Sequence, residues 1–492
     1  MAEPHIGSKK NPSPTRNALL VRFLVVPLAV IICEIMSQLS EFVGAKVEAQ
    51  RAFFASGATL PYKFRIQQLK RLSEALDEWE APLCEALWKD LHKSKEEAIM
   101  TELSIVRSEI RNHIGHLRRW MRTRRVPTPL KMFPSRTRIQ TEPLGTALII
   151  SPWNYPVQLL LNPLVGAISA GCTAVLKTSP AVPHTSQVLE RMIGLTFDER
   201  YIVAFGGHRD VNSALLEQHF DLIFFTGSPS LGHTVMEAAA KHLTPVVLEL
   251  GGKSPCIVSR RADVEVAAKR IAWGKTLNAG QTCIAPDYLL VHSSLKEEFT
   301  LHFRKALHQL HGQDVAQSPH FGRLVSEKAF DRVAAYLADG EILVGGTTDR
   351  TERYIEPTLL EVRSEDVAVM QEEIFGPVLP LMTFESLDEA VEFVVARPKP
   401  LALYFFGSAE ESRKVLRHTS SGGACVNDTI MHIANEKAPF GGVGNSGMGH
   451  YHGKRSFDAF SHERTVVATP TCIDLPLRYM PYKLFPLIKK LL

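Results

Sequence analysis

Cysteine is scarce in this chain: seven among 492 residues, namely Cys33, Cys84, Cys172, Cys256, Cys283, Cys425 and Cys472. The closest two, Cys256 and Cys283, lie 27 positions apart, so no pair has the spacing of a zinc site or a redox motif. A sparse, odd set of thiols argues against a disulfide framework and for a reducing compartment. Charge of one sign is lacking too. The 56 Lys and Arg nearly balance 52 Asp and Glu, a net of +4, which leaves no basic footprint for nucleic acid. Phe23 to Cys33 (FLVVPLAVIIC) is apolar but, at eleven residues, short for a membrane span. No repeat or low-complexity stretch is evident. The length exceeds one compact core, so two or three domains are expected.

The two ends differ from the rest. No acidic residue lies between Glu3 and Glu34, while Lys9, Lys10, Arg16 and Arg22 precede or interrupt the apolar run. Three readings stay open: a signal or membrane anchor, an organelle-targeting segment, or upstream sequence outside the working protein, because Met36 opens an ordinary amphipathic helix. The last stretch, LPLRYMPYKLFPLIKKLL, mixes basic and apolar residues. It suits peripheral contact with a membrane surface, or a final helix packed on its own protein or a partner.

Between the ends the periodicity changes once. Residues 41–125 carry apolar positions every three or four residues and read as amphipathic helices. The segment 122–138, with its prolines and arginines, reads as an extended connector. From about residue 145, short apolar strands alternate with helices: TALII (146–150), a helix over 158–170, TAVLK (173–177), YIVAF (201–205) and LIFFT (222–226). This predicts an α/β fold with a parallel sheet covered on both faces, and ligands at the carboxyl ends of its strands. After VVLELGG the alternation resumes, as a second α/β domain.

Three features carry chemistry. FFTGSPSLG places Gly227, Ser228 and Gly232 between a strand and a helix, where free N–H groups can hold a phosphate. LELGGK ends an apolar run on Glu249; a carboxylate there is a desolvated base, a helix cap or the partner of a cation such as Lys253. NAGQTCIAPDY places Cys283 in a polar loop with no ligand partner nearby, the setting of an accessible nucleophile, although a lone cysteine is more often inert.

PWNYP, FTGS, LELGGKSP, GQTC, EEIFGPV and PFGGVGNSGMG occur in that order. With them the chain resembles the aldehyde dehydrogenases over about residues 40–480, most closely the class 3 or fatty-aldehyde type. AAAKHLTPVVLELGGKSPCIV and YHGKRSFDAFSH point to that branch. The resemblance implies a Rossmann-type coenzyme domain (41–125 and 142–248), an α/β catalytic domain (249–423) and a small oligomerisation region (126–141 and 424–470), between an N-terminal extension (1–40) and a tail (471–492).

It further implies an aldehyde substrate, NAD or NADP as coenzyme, and a homodimer, cytoplasmic or membrane-associated. Cys283 would be the nucleophile, Asn154 an oxyanion donor together with the Cys283 N–H, and Glu249 the base that activates water. Trp153, Lys177, Gly227, Ser228, Gly232, Glu373 and Phe375 would bind the coenzyme, Phe375 being equally explicable as core packing. His452 reads as a satisfied structural histidine. Pro180 stands where the family often has a ribose-binding glutamate, which removes a charge that would repel a 2′-phosphate and leads us to expect that NADP is accepted. A CoA-acylating enzyme and a non-catalytic protein on the same fold are the alternatives.

Overall fold

The computed structural model describes residues 36–476, 479–482 and 485–489. The apolar run 23–33 and part of the basic tail lie outside the described residues. Among those described, no helix is long and apolar enough to cross a membrane, and no cluster of His, Cys, Asp and Glu is arranged to hold a metal ion.

The chain begins as helices, 36–55, Tyr62–Glu78, Glu80–Leu91 and Ser104–Trp120, whose apolar faces are buried against the first sheet. The arginine- and proline-rich connector then supplies two extended pieces, β1 (Arg124–Val126) and β2 (Arg136–Pro143). The next five strands are β3 (Thr146–Ile150), β4 (Thr173–Lys177), β5 (Ile202–Phe205), β6 (Leu222–Gly227) and β7 (Val246–Leu250). They pair in parallel in the order β5-β4-β3-β6-β7. Strands β3, β4 and most of β6 and β7 are buried, and read as near-continuous apolar runs because helices cover both faces. The chain runs outward from β3 to β5, then returns to place β6 on the other side of β3. The crevice outside the carboxyl ends of β3 and β6 is therefore the topological switch point.

A second sheet follows. It contains β8 (Pro255–Val258), β9 (Tyr288–His292), β10 (Glu341–Val344), β13 (Thr358–Glu361), β14 (Val378–Phe384), β15 (Ala402–Phe406) and β16 (Gly423–Val426); β11 (Thr348–Asp349) and β12 (Tyr354–Ile355) form a separate small hairpin. The order is β10-β13-β14-β9-β8-β15-β16, and only β10 runs antiparallel to its neighbour.

The stretch 424–470 does not stay together. Its first residues finish β16; β17 (Gly447–Met448) pairs antiparallel with β7 of the first sheet; and β18 (Ser461–Ala468) pairs with β2 along eight positions, making the arm a three-stranded sheet with β1. The pairing of β17 with β7 sets Gly447 opposite Glu249, so a late segment closes over the edge of the first sheet.

The helix Gln158–Ala170, buried along its whole length, ends on Gly171 at φ +93. Side chains rarely adopt that conformation, and a Cβ there would lie 2.6 Å from the guanidinium of Arg65. That guanidinium is buried and donates to the carbonyls of Thr59 and Ser169, both at 3.0 Å. Gly171→Ala is therefore expected to lower stability by about 1–3 kcal/mol, seen as a lower urea midpoint, with kcat/KM at low temperature within about twofold of wild type. An unchanged midpoint would show that the turn relaxes freely.

Candidate active site

The two sheets meet edge to edge around one large cavity of about 1050 Å³. From the first sheet it takes residues at carboxyl ends: Pro152, Trp153 and Asn154 after β3, Thr226 to Ser230 at the end of β6, and Glu249 and Leu250 at the end of β7. From the second sheet it takes residues before the strands: Gly251 to Lys253 before β8, Cys283 before β9, Glu372, Glu373 and Phe375 before β14, and Ala396 to Lys399 before β15. Only in the first sheet, then, do carboxyl ends of strands line the cavity. In the second the amino ends face the cavity, because the two sheets abut there.

Cys283 is half-buried and free. The approach to it is unusual: Asn278 (φ +50), Ala279 (φ +51) and Gly280 (φ +75) are consecutive left-handed residues. A Cβ on Gly280 would collide with the carbonyl of Gly376, so a backbone-only residue is required there. Left-handed non-glycine residues persist only where the surroundings over-determine them. Here Asn278 N–H donates to Glu97 Oε1 (2.8 Å), Gln281 Nε2 donates to the carbonyls of Asn278 (3.1 Å) and Arg323 (3.0 Å), and Tyr404 OH donates to the Ile284 carbonyl. Burial pushes the Cys283 thiol well up, with the carboxylates of Glu373 and Glu249 adding to it; the N–H groups of Cys283 and Ile284 oppose them. Burial outweighs these N–H groups and favours the protonated thiol over the thiolate.

Glu249 is buried and both its carboxylate oxygens lack a hydrogen-bond partner. Burial raises its pKa well above the usual carboxylate range. The bland reading, a pair with Lys253, fails: Lys253 is bonded to Asp287 and donates to the carbonyls of Val369 and Glu372, each at 2.8 Å. Asn154 is buried beside the cavity, and its Nδ2 donates to the Gln281 carbonyl at 3.1 Å. An amide nitrogen carries two hydrogens, so one donor remains.

Ser228 precedes the helix Pro229–Ala240 and makes no side-chain cap, which leaves that helix's first N–H groups available to an anion. Glu373 is half-buried, with an unpartnered Oε1, and a Cβ on Gly251 would strike its carboxylate. Phe375 is no core residue. It lines the cavity at φ +48, and its ring meets that of Trp153 edge-on at 5.3 Å. These groups fit a dinucleotide: an anion-binding helix end, a carboxylate for hydroxyl groups and two aromatic faces.

Two predicted residues lie outside the cavity lining. Gly232 lets the helix approach β7, since a Cβ there would come 2.9 Å from Leu250 Cδ2. Lys177 is buried, and its Nζ donates to the carbonyls of Thr178 (2.6 Å) and Gly207 (2.8 Å). His452 is not satisfied as expected: its Nε2 is buried without a partner, and its ring stacks on Phe440 at 5.4 Å.

The sequence analysis missed Lys93, Glu97, Glu102 and Asn278, which hold the Asn154 turn and the Cys283 loop. The segment of the first three, HKSKEEAIMTEL, is charged enough to read as a solvated face, while Asn278 opens the Cys283 loop itself. Only a departure from helical geometry, the π-turn Ile99–Leu103, marks that segment locally, and such turns recur at functional sites.

Fold and cavity together define a two-domain α/β dehydrogenase. The model of the aldehyde dehydrogenase family matches residues 28–466. The chain is 48% identical to 4,4'-diaponeurosporen-aldehyde dehydrogenase of Staphylococcus aureus, across 88% of this chain and 95% of that protein. It is 46% identical to Homo sapiens aldehyde dehydrogenase family 3 member B1, across 89% and 94%. The solved structure of substrate-bound Staphylococcus aureus AldH matches with a TM-score of 0.89 at 46% identity, covering 91% of this chain and 98% of that one. An indole-3-acetaldehyde dehydrogenase in complex with NAD+ matches at 0.80 with 26% identity, covering 88% and 89%. The chain belongs to the aldehyde dehydrogenase family, and it is an NAD(P)-dependent enzyme that oxidises aldehydes.

Glu373 contributes to the pH dependence of stability in the same sense as Glu249, whose pKa burial also raises. Burial first, and the Asp287 carboxylate second, raise the pKa of Glu373 to about 8, against donation from Gly252 N–H and the charges of Lys253 and Arg332. Between pH 7 and 8 the native state then holds a proton that the unfolded chain has already lost, so stability falls as pH rises. His311 and His432, held down to about 4, and Lys177 and Lys275, lowered to about 8, all chiefly by burial, act in the opposite sense; the histidines are largely neutral in both states by pH 7, and the lysines offset part of the fall. The urea midpoint of coenzyme-free protein should therefore drop from pH 7 to pH 8, and drop less in Glu373→Gln. Equal slopes would show that Glu373 is ionised throughout.

Proposed function

We propose that the enzyme oxidises medium- or long-chain aliphatic or aromatic aldehydes to carboxylic acids through an acyl thioester on Cys283. The observation that supports this most is the unpartnered, buried carboxylate of Glu249 in the cavity that Cys283 lines. Such a group is costly to keep unless it handles a proton or a water, and its raised pKa makes it a stronger base once ionised.

The Cys283 sulfur attacks the aldehyde carbon as the thiol proton passes to solvent water, forming the oxyanion of a thiohemiacetal. Asn154 Nδ2 and the Cys283 N–H donate to the oxyanion; one such preorganised donor is worth about 3 kcal/mol in kcat. When bound, the oxidised coenzyme would supply the acceptor for the hydride that leaves this carbon. Glu249 then takes a proton from water, whose oxygen attacks the thioester carbon, and Cys283 departs with the sulfur's electron pair. Trp153, Ser228, Gly227, Glu373 and Phe375 would hold the coenzyme. Lys177 would sit at its adenosine end once freed from its two carbonyls. Because Pro180 carries no charge at that end, both NAD and NADP are taken to bind.

NAD(P)H formation should be followed with aldehydes from C2 to C16 and benzaldehyde. Turnover is expected to rise with chain length, to occur with both coenzymes, and to fall at least about 10³-fold in Cys283→Ala. Glu249→Gln should keep a rapid first burst of NAD(P)H and lose steady-state turnover, restored in part by hydroxylamine, a nucleophile that needs no base. Turnover only with added CoA would replace hydrolysis by acyl transfer, and a preference for C2 would remove the chain-length claim.

We also propose a homodimer built through the arm. Leu130 (85% exposed) and Phe133 (57%), in the connection between β1 and β2, and Val467 (45%), on β18, are exposed apolar side chains of the arm. Light scattering should read twice the chain mass, and Leu130→Glu/Phe133→Glu should halve it; a monomeric wild type would overturn this.

A further inference from the structure

One fully buried cation lies where the segments behind Asn154 converge. His92, at φ +51, ends the helix Glu80–Leu91 and turns Lys93 inward, and Ser94 Oγ accepts from Glu97 N–H to start the next turn. The π-turn Ile99–Leu103 then presents Glu102 to the same interior. Lys93 Nζ donates to Glu102 Oε1 at 2.6 Å and to the Asn154 carbonyl at 3.0 Å, and lies 4.1 Å from the centre of the Tyr155 ring. Neither charged side chain has any exposed surface.

The remaining bonds of the Asn154 turn join the same group. Glu102 Oε2 accepts from the N–H groups of Val157 (2.8 Å) and Gln158 (3.2 Å). Asn278 Nδ2 donates to the Asn154 carbonyl at 2.8 Å and to the Gln281 carbonyl at 3.2 Å, and Tyr155 OH is hydrogen-bonded to Thr282 Oγ1 at 2.6 Å. The backbone at Asn154 is thus gripped by an ammonium and the backbone just after it by that ammonium's carboxylate, while Asn154 Nδ2 reaches the loop of Cys283.

We propose that Lys93, paired with Glu102, is a positioning residue for the oxyanion: through the Asn154 carbonyl it sets the direction of the Asn154 amide. This rests on the reading of Asn154 as the oxyanion donor. A donor assists only if it is already aimed at where charge develops, and a misplacement of about 1 Å can cost about 10²-fold in rate. A charge-assisted hydrogen bond is about twice as strong as a neutral one, so an ammonium holds the carbonyl more firmly than an amide alone. Glu102 supplies the compensating charge in the dry interior. Lys93 itself touches no substrate.

The test is a double-mutant cycle of Lys93→Met and Asn154→Ala, read as kcat, coenzyme KM and urea midpoint. Lys93→Met is expected to lower kcat between about 10- and 100-fold, leave the coenzyme KM within about threefold, and cost less than about threefold in kcat when Asn154 is already alanine. A purely structural role would shift the midpoint equally in both backgrounds and leave kcat uncoupled. Equal fold-losses in both backgrounds, or no loss in the single variant, would overturn the proposal. A wild-type kcat in Asn154→Ala alone would instead overturn the oxyanion reading. Should Lys93→Met fail to fold, the charge-neutral Lys93→Met/Glu102→Gln enters the same cycle with the same criteria.

Discussion

The buried ion pair of Lys93 and Glu102 is the interaction on which the site's geometry depends. It joins the first helical region, the turn after β3 and, through Asn278, the loop before β9, segments far apart in the chain. A buried pair of this kind is weak evidence for stability, because two ions must be desolvated to form it; losing one partner, however, costs about 3–5 kcal/mol. Its value is in exactness of placement. The neighbouring Glu97 does the same for the backbone of Asn278, one end of a loop that would not hold three left-handed residues unaided.

That framework allows the cavity to keep polar groups unbonded. Glu249 lacks a partner for both oxygens and Glu373 for one, while nearly every cation around them is committed elsewhere: Lys253 to Asp287, Arg332 to the carbonyls of Glu373 and Ile374. An apolar wall around a free carboxylate raises its proton affinity. The same wall, with the same carboxylates, favours the thiol form of Cys283. Nucleophile and base thereby both favour their protonated forms, so each gives up its proton to solvent water as the reaction proceeds.

The topology explains where the cavity is. The switch point between β3 and β6 opens a crevice at the carboxyl edge of one sheet, and the amino edge of the second sheet abuts it. Residues distant in sequence therefore enter one site by short turns from strand ends, and β17 seals the edge of β7 opposite Glu249.

Much of this was legible in the chain itself. The strands 146–150 and 173–177 and the helix 158–170 stand where alternation and period placed them, because two-sided burial leaves an unbroken apolar run and Gly171 ends the helix. Cys283, Glu249 and Asn154 were named from ordered motifs, since a turn that must expose a reactive group needs particular residues next to it. What the sequence could not carry was who partners whom. Lys253 and Glu249 are close in sequence yet do not pair, Phe375 faces a cavity instead of a core, Lys177 is turned onto two carbonyls, and a charged segment that reads as solvated is buried around Lys93. Local pattern reports how often a residue meets the interior. Only the tertiary structure decides which buried charge finds its opposite and which is left without one, because that depends on strands and turns brought together from across the whole chain.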